Sequence, residues 1–195
     1  MSGRDISTVL FNGSPRKGGN TELCLKRVEK KLQAHGIRTE LIPLAEKEIH
    51  PCKVCLGCKG KRRCAQDDDL NELLAKMEQA DGIIIGSPTW FGSVSGWVKN
   101  LIDRAGFVSR MNGHMFYRKV GAPVVAVRRG GAVQTYNTII SFFAIDHFYI
   151  VGSSYWNFAF GLRPGEAAED AEGMETMDDL ADNMAHLLKV LKAAE

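Results

Sequence analysis

The sequence predicts an α/β protein with a doubly wound, five-stranded parallel sheet in the strand order 2-1-3-4-5. Three observations carry this. Short apolar runs alternate with stretches of helical periodicity, as strands joined by crossover helices must. The run GIIIG at 82–86 is apolar throughout, which suits a central strand covered on both faces. Residues 8–21, TVLFNGSPRKGGNT, pass from an apolar strand through small residues to a helix start. That is the layout of an anion-binding turn at the first winding of such a sheet.

The elements follow in order. Residues 8–11 are the first strand, stopped by Asn12, Gly13, Ser14 and Pro15. A helix over about 20–35 carries Leu25, Val28 and Leu32 on one face and ends at Gly36. The second strand is 37–44, followed by an irregular insert over 45–66 with four of the five cysteines. Asp67, Asp68 and Asp69 open a second helix marked by Leu70, Leu73, Leu74 and Met77, and are expected to act as a cap at the positive end of its dipole. After the third strand at 82–86, a third helix buries Val94, Trp97, Val98, Leu101, Ile102 and Ala105. Residues 107–119 read as a polar connection without a clear element. Residues 120–127 are the fourth strand, 133–145 a helix, 148–151 a short fifth strand and 153–165 a loop with Tyr155 and Trp156. The last helix shows a Met and Leu stripe from Met177 to Leu191 that belongs to the core.

Composition narrows the function. At 195 residues, with 45% hydrophobic and 25% charged, one domain spanning 1–195 is expected. A net charge of +2 without a long Lys/Arg run argues against a nucleic-acid partner. No basic start leads into an apolar signal segment, and no stretch nears ~18 apolar residues, so neither export nor a membrane partner is expected. A cytoplasmic protein follows, whose cysteines are metal-binding, redox-active or free rather than paired in disulfides. The five histidines show no spacing that suggests metal binding.

In this sheet order, ligands bind beyond the strand C-termini where the winding reverses, and three loops converge there. The first supplies Ser14, Arg16, Lys17, Gly18, Asn20 and Thr21, a phosphate loop of backbone N–H groups, neutral donors and a forked cation. It is neither a Walker A loop, because Gly19-Asn20 replaces Lys-Ser/Thr, nor a G-x-G-x-x-G fingerprint, because Phe11 and Lys17 stand where glycines are needed. The second loop, SPTWFGS, offers Ser87, Pro88, Thr89, Trp90, Phe91, Gly92 and Ser93, a rigid turn with two aromatics suited to covering a flat ring. The third offers Arg128, Arg129 and Gly130, a guanidinium pair beside a backbone that a ligand can approach closely.

The insert places Cys52, Cys55, Cys58 and Cys64 as C-x2-C-x2-C-x5-C. The first three repeat the rhythm of cubane iron–sulfur ligation, and the fourth has no proline after it and can close on the same cluster. Lys53, Lys59, Lys61, Arg62 and Arg63 would offset the anionic charge. Zinc and free thiols stay open as alternatives.

NGSPRKGGNT, SPTWFGSVSG and AVRRGGA resemble the phosphate, ring and arginine segments of the NADPH-dependent FMN reductase branch of flavodoxin-like proteins. PCKVCLGCKGKRRC and GSSYWNFAFG extend the likeness, and the chain resembles the iron–sulfur flavoproteins within that branch from Val9 to the last helix. The resemblance implies a flavodoxin-like fold, one FMN and one [4Fe–4S] cluster per subunit, and assembly as a homodimer or tetramer with one subunit's cluster near a neighbour's flavin. It implies an FMN-dependent oxidoreductase with no catalytic side chain of its own, because the flavin carries the chemistry. Electrons would come from a donor such as ferredoxin or NAD(P)H and go to a small acceptor. An NAD(P)H-dependent FMN or quinone reductase without a cluster, and a flavodoxin-type carrier, are the rival readings; the pI near 8.3 counts against the acidic carrier.

Overall fold

The computed structural model describes residues 5–194. Strand β1 (Ser7–Asn12) leads to helix α1 (Asn20–Ala34) and strand β2 (Arg38–Pro43). A single 3-10 turn and the cysteine insert follow, then α2 (Leu70–Gln79), β3 (Gly82–Pro88), α3 (Gly96–Arg110) and β4 (Val120–Val127). The chain closes with α4 (Ala132–Ile145), β5 (Tyr149–Ile150), β6 (Phe158–Phe160) and α5 (Ala171–Ala193). All pairings between these strands are parallel, and the sheet order is β2-β1-β3-β4-β5, as the sequence predicts.

Alternation along the strands builds two cores. Val9 and Phe11 of β1 join Ile83 and Ile85 of β3 beneath α2, α3 and α4. Leu10 and Ile84, one residue out of step, pack under α1 and α5 with Leu25, Val28, Leu180 and Met184. Period-two burial on both faces is what a doubly wound sheet demands.

The fifth strand departs from expectation. It is split: β5 pairs with β4 only at Val120 and Gly121, and β6, within the stretch expected to be a loop, resumes the pairing at Val125–Val127. Pro123 is the cause. Gly121 and Val125 direct their polar groups to this side of β4, where Pro123 has no N–H to offer. Asn157 fills the gap: its Nδ2 donates to the Pro123 carbonyl at 2.9 Å, and its own carbonyl accepts from the Val125 N–H at 2.9 Å. The connection after α3 is also less polar than its composition implies. The helix runs on to Arg110, and Phe116 is fully buried against Phe142 and Phe148.

The aspartates before α2 do more than cap it. Asp69 sits at the N-cap, but its side chain accepts from the Glu48 N–H at 2.8 Å instead of from its own helix. Asp68 is paired with a buried arginine from α3.

Candidate functional site

The first loop is tied down from two sides. The Gly13 N–H donates to the Gly86 carbonyl at 2.8 Å, and Ser95 Oγ donates to the Gly13 carbonyl at 2.7 Å. A Cβ on Gly13 would lie 2.2 Å from Val98 Cγ2, so only glycine lets β1 end this close to α3. Asn12 Oδ1 accepts from the Ser14 N–H at 3.0 Å, and Ser14 Oγ accepts from the Arg16 N–H at 3.3 Å. The loop is thereby curled with its backbone inward.

Helix α1 starts at Gly19 with no side chain capping it, which leaves N–H groups of the first turn pointing out of the helix end. Arg16, Lys17 and Gly18 are exposed, and Lys17 leans on Glu46 at 3.5 Å. Glu22 reaches back to the Gly18 N–H at 2.8 Å. Its pKa is lowered, first by the Lys26 side chain and further by that N–H. Thr21 is buried in the first turn. Asn20 turns its carboxamide oxygen to the Ala167 N–H at 3.2 Å, so it also braces the turn after β6.

The second loop meets the first through Ser87, whose Oγ accepts from the Ser95 N–H at 3.0 Å. Ser95 also accepts from the Val98 N–H at 3.4 Å and so caps α3. This serine links both loops to one helix start, and sequence reading passed over it; a Ser before a helical stripe is the signal that could have found it. Trp90 and Ser93 exchange backbone hydrogen bonds at 2.9 and 3.0 Å, closing a tight hairpin. Phe91, at its tip, is fully exposed and has φ 50°, an uncommon conformation for a bulky residue. Pro88 continues β3, and Trp90 packs edge-on against Trp97 with ring centroids 5.9 Å apart.

The third loop closes on the second. Gly131, the N-cap of α4, has φ 85°, and a Cβ there would stand 3.1 Å from Gly92 Cα and 3.2 Å from Thr89 Cγ2. Arg128, Arg129 and Gly130 are exposed. Arg129 borders a cleft of about 240 Å³ that Tyr155, Trp156 and Phe158 also line. Thr89 Oγ1 is buried here without a hydrogen-bond partner. An orphaned hydroxyl, a backbone cradle without side chains and an uncapped helix start fit a planar, phosphorylated cofactor.

In the insert, Cys52, Cys55, Cys58 and Cys64 line one cavity together with Arg104 and Phe107. Cys58 and Cys64 are buried and belong to the core under α2 and α3, whereas Cys55 is exposed. Burial first, then the neighbouring thiols, push the Cys58 pKa up. The backbone is unusual: Val54 and Leu56 flank Cys55 at φ 50° and 57°, a region a β-branched residue rarely enters. The Val54 N–H points to Cys52 Sγ at 3.4 Å. Arg104 Nη2 lies 3.0 Å from Cys64 Sγ. Among the described residues, no three or more His, Cys, Asp or Glu gather as they would around one metal ion. Four soft sulfur donors round a single small cavity, with a cation against one of them, are a donor set that iron–sulfur groups and zinc both take. The fifth thiol, Cys24, lies apart in α1; burial, with the Asp170 charge adding to it, pushes its pKa up to about 12 and leaves it inert.

Three loops meeting at the strand ends of a doubly wound sheet define a flavodoxin-like protein. The model of the NADPH-dependent FMN reductase family matches residues 6–162. The chain belongs to that family and, within it, to the iron–sulfur flavoproteins: it is 39% identical to one from Methanocaldococcus jannaschii over 96% of this chain and 100% of that one. It is 32% identical to another from Methanosarcina thermophila, over 93% of this chain and 95% of the relative. Among solved structures, RosB with bound 8-demethyl-8-formylriboflavin-5'-phosphate superposes with a TM-score of 0.78 at 16% identity, over 96% of this chain and 81% of that one. A flavodoxin, WrbA-like protein from Agrobacterium tumefaciens gives 0.66 at 15% identity, over 96% and 99%. At these identities the structural likeness is one of fold. Among the described residues no helix is long and apolar enough to cross a membrane.

Proposed function

We propose that this protein is an FMN-dependent electron-transfer oxidoreductase that draws electrons from a reduced carrier through a [4Fe–4S] cluster and delivers them by FMN to a small acceptor. One observation carries the reading: a four-thiol cavity and a three-loop cofactor site are built on the same α3, the first through Arg104 and the second through Ser95. When bound, FMN would trade electrons singly or as a hydride while the cluster trades them one at a time.

The chain's own residues bind and orient. Arg16 and the uncapped start of α1 would hold the FMN phosphate. Thr89 Oγ1 and the backbone around Gly130 and Gly131 would meet the polar edge of the ring, with Trp90 and Phe91 as apolar cover. Arg128 or Arg129 would balance negative charge that accumulates on the ring. Cys52, Cys55, Cys58 and Cys64 would ligate the cluster. Phe91, Tyr155, Trp156 and Phe160 are half to fully exposed at this end of the molecule, which supports a homodimer or tetramer that covers them.

The deciding measurement is a visible spectrum of anaerobically purified and reconstituted protein, with iron and acid-labile sulfide determined on the same sample. Cys58→Ser should lose most of the iron and sulfide yet keep FMN, because the phosphate loop lies on another element. Its flavin should then be reduced much more slowly by a one-electron protein donor and at an unchanged rate by dithionite. Wild-type protein without iron would leave the rival reading, a cluster-free NAD(P)H-dependent FMN reductase, which the family description and a 30% match to the FMN-dependent NADPH-azoreductase of Staphylococcus saprophyticus over 49% of this chain favour.

A further inference from the structure

Arg104 heads the largest fully buried side chains, at 1% exposure, yet none of the three cofactor loops uses it. It stands on α3 and divides its guanidinium between two partners. Nη1 pairs with the Asp68 carboxylate and donates to the His50 carbonyl at 3.1 Å, while Nη2 points at Cys64 Sγ at 3.0 Å. Nε is buried with no hydrogen-bond partner. Asp68 is enclosed as well, and accepts from the His50 N–H at 3.0 Å and the Leu70 N–H at 3.2 Å. A guanidinium keeps its charge in a protein interior, so Arg104 is a cation here.

A buried ion pair of this kind is a poor stabiliser, since an apolar side chain of equal size would fill the space at lower cost. Its presence calls for another role. The lysines and arginines of the insert, Lys53, Lys59, Lys61, Arg62 and Arg63, are exposed, and water and salt screen their charge. Arg104 is shielded from water, so its field at Cys64 is far less damped.

Resting on the cluster reading above, we infer that Arg104 is the positioning residue that raises the reduction potential of the group held at Cys64, and that Asp68 acts as its counterweight. Taking up one electron adds one negative charge beside Cys64. A guanidinium against that sulfur favours the reduced form, and hydrogen bonds to ligand sulfurs raise potentials generally. Asp68 sits on the other nitrogen, farther from the sulfur, and opposes the effect. The two members of one ion pair must therefore act with opposite sign, whereas a pair that only supports the fold would act with one sign.

The test is a redox titration of full-length, anaerobically reconstituted Arg104→Gln, Asp68→Asn and Arg104→Lys proteins, followed by electron paramagnetic resonance, with iron counted per chain. Arg104→Gln should lower the cluster potential, making uptake of one electron about tenfold less favourable, which is ~59 mV. Asp68→Asn should raise it, and Arg104→Lys should stay near wild type, each potential read on the cluster-loaded fraction, with the FMN potential unmoved in all three. Iron bound with potentials that stay put, or that move the same way in Arg104→Gln and Asp68→Asn, overturns the inference and leaves the cluster reading standing. Wild-type protein without iron overturns both. Should Arg104→Gln fail to fold, Asp68→Asn decides alone, by an upward shift or its absence.

Discussion

Gly13 gives up a side chain so that β1, β3 and α3 can meet at one point, and the amides beyond it are oriented before any ligand arrives. The loop's strongest electrostatic contribution comes later, at Arg16, whose side chain is exposed beside the helix start. Arg16→Ala should weaken FMN binding by about 1.5–3 kcal/mol, the worth of a hydrogen bond to a charged group, with little change in melting temperature. Fluorescence titration of the apoprotein measures it, and binding unchanged by the substitution would place the phosphate elsewhere. Loop residues of this kind are legible in sequence because glycines, prolines and hydroxyls leave a pattern. Arg104 is legible only in part: its spacing from Trp97 and Leu101 puts it on the buried face, but nothing in GWVKNLIDRAGF marks what it pairs with there. Its burial depends on Asp68 and Cys64, which lie 36 and 40 residues away.

At the scale of elements, α1 and α5 share one face of the sheet and are clamped at their solvent edge. Arg27 makes two bonds to Asp178, at 2.8 and 2.6 Å, and Asp182 takes Lys31 at 2.7 Å and His35 at 2.7 Å. Arg27 holds the Asp178 carboxyl below its usual pKa, and Lys31, with His35, does the same for Asp182. A carboxyl depressed in the folded state lends stability above its unfolded pKa, and that stability is lost as pH falls through the folded value. Asp178→Asn should therefore cost about 0.5–1 kcal/mol near pH 7, and the wild-type and variant curves should converge below about pH 4. Urea unfolding across that range checks the sign; a gap that widened on acidification would contradict it. The helices and the first four strands were legible from periodicity and punctuation. The first half of the fifth strand, β5, was legible too, but its continuation β6 was not, because the three residues Phe158–Phe160 lie in a stretch that reads as loop. The informative signal lay in its neighbour, where Pro123 interrupts VGAPVVAV and removes a donor from one side.

Exposed apolar side chains occur over much of the molecule, Val54, Leu56, Tyr117, Ile145 and Val190 among them, and six belong to one end. Fully exposed Phe91 and half-exposed Trp90, Tyr155, Trp156, Phe160 and Leu162 all belong to the loops and short strand around the cofactor site. A patch of this kind marks an interaction surface. Sedimentation at micromolar concentration should give a dimer or tetramer rather than a 21.5 kDa species, and Phe91→Ser with Trp156→Ser should shift it toward the monomer. The sheet order and the convergence of three loops could be read before any coordinates. Which aromatics face a ligand and which face another subunit could not, since both roles draw on the same residue types.

The Arg104–Asp68–Cys64 contact also bears on how such a chain can change over generations. The insert enters and leaves the fold between β2 and α2 without adding a strand to the sheet, so its removal leaves the sheet order untouched. Yet its loss would take Cys64 and leave Arg104 paired with Asp68, and removing either of that pair alone while the other stays buried costs about 3–5 kcal/mol. A lineage that discards the thiols keeps the pair or must replace the guanidinium and the carboxylate nearly together. The buried arginine thus works as a ratchet: easy to keep once gained, and hard to abandon one substitution at a time.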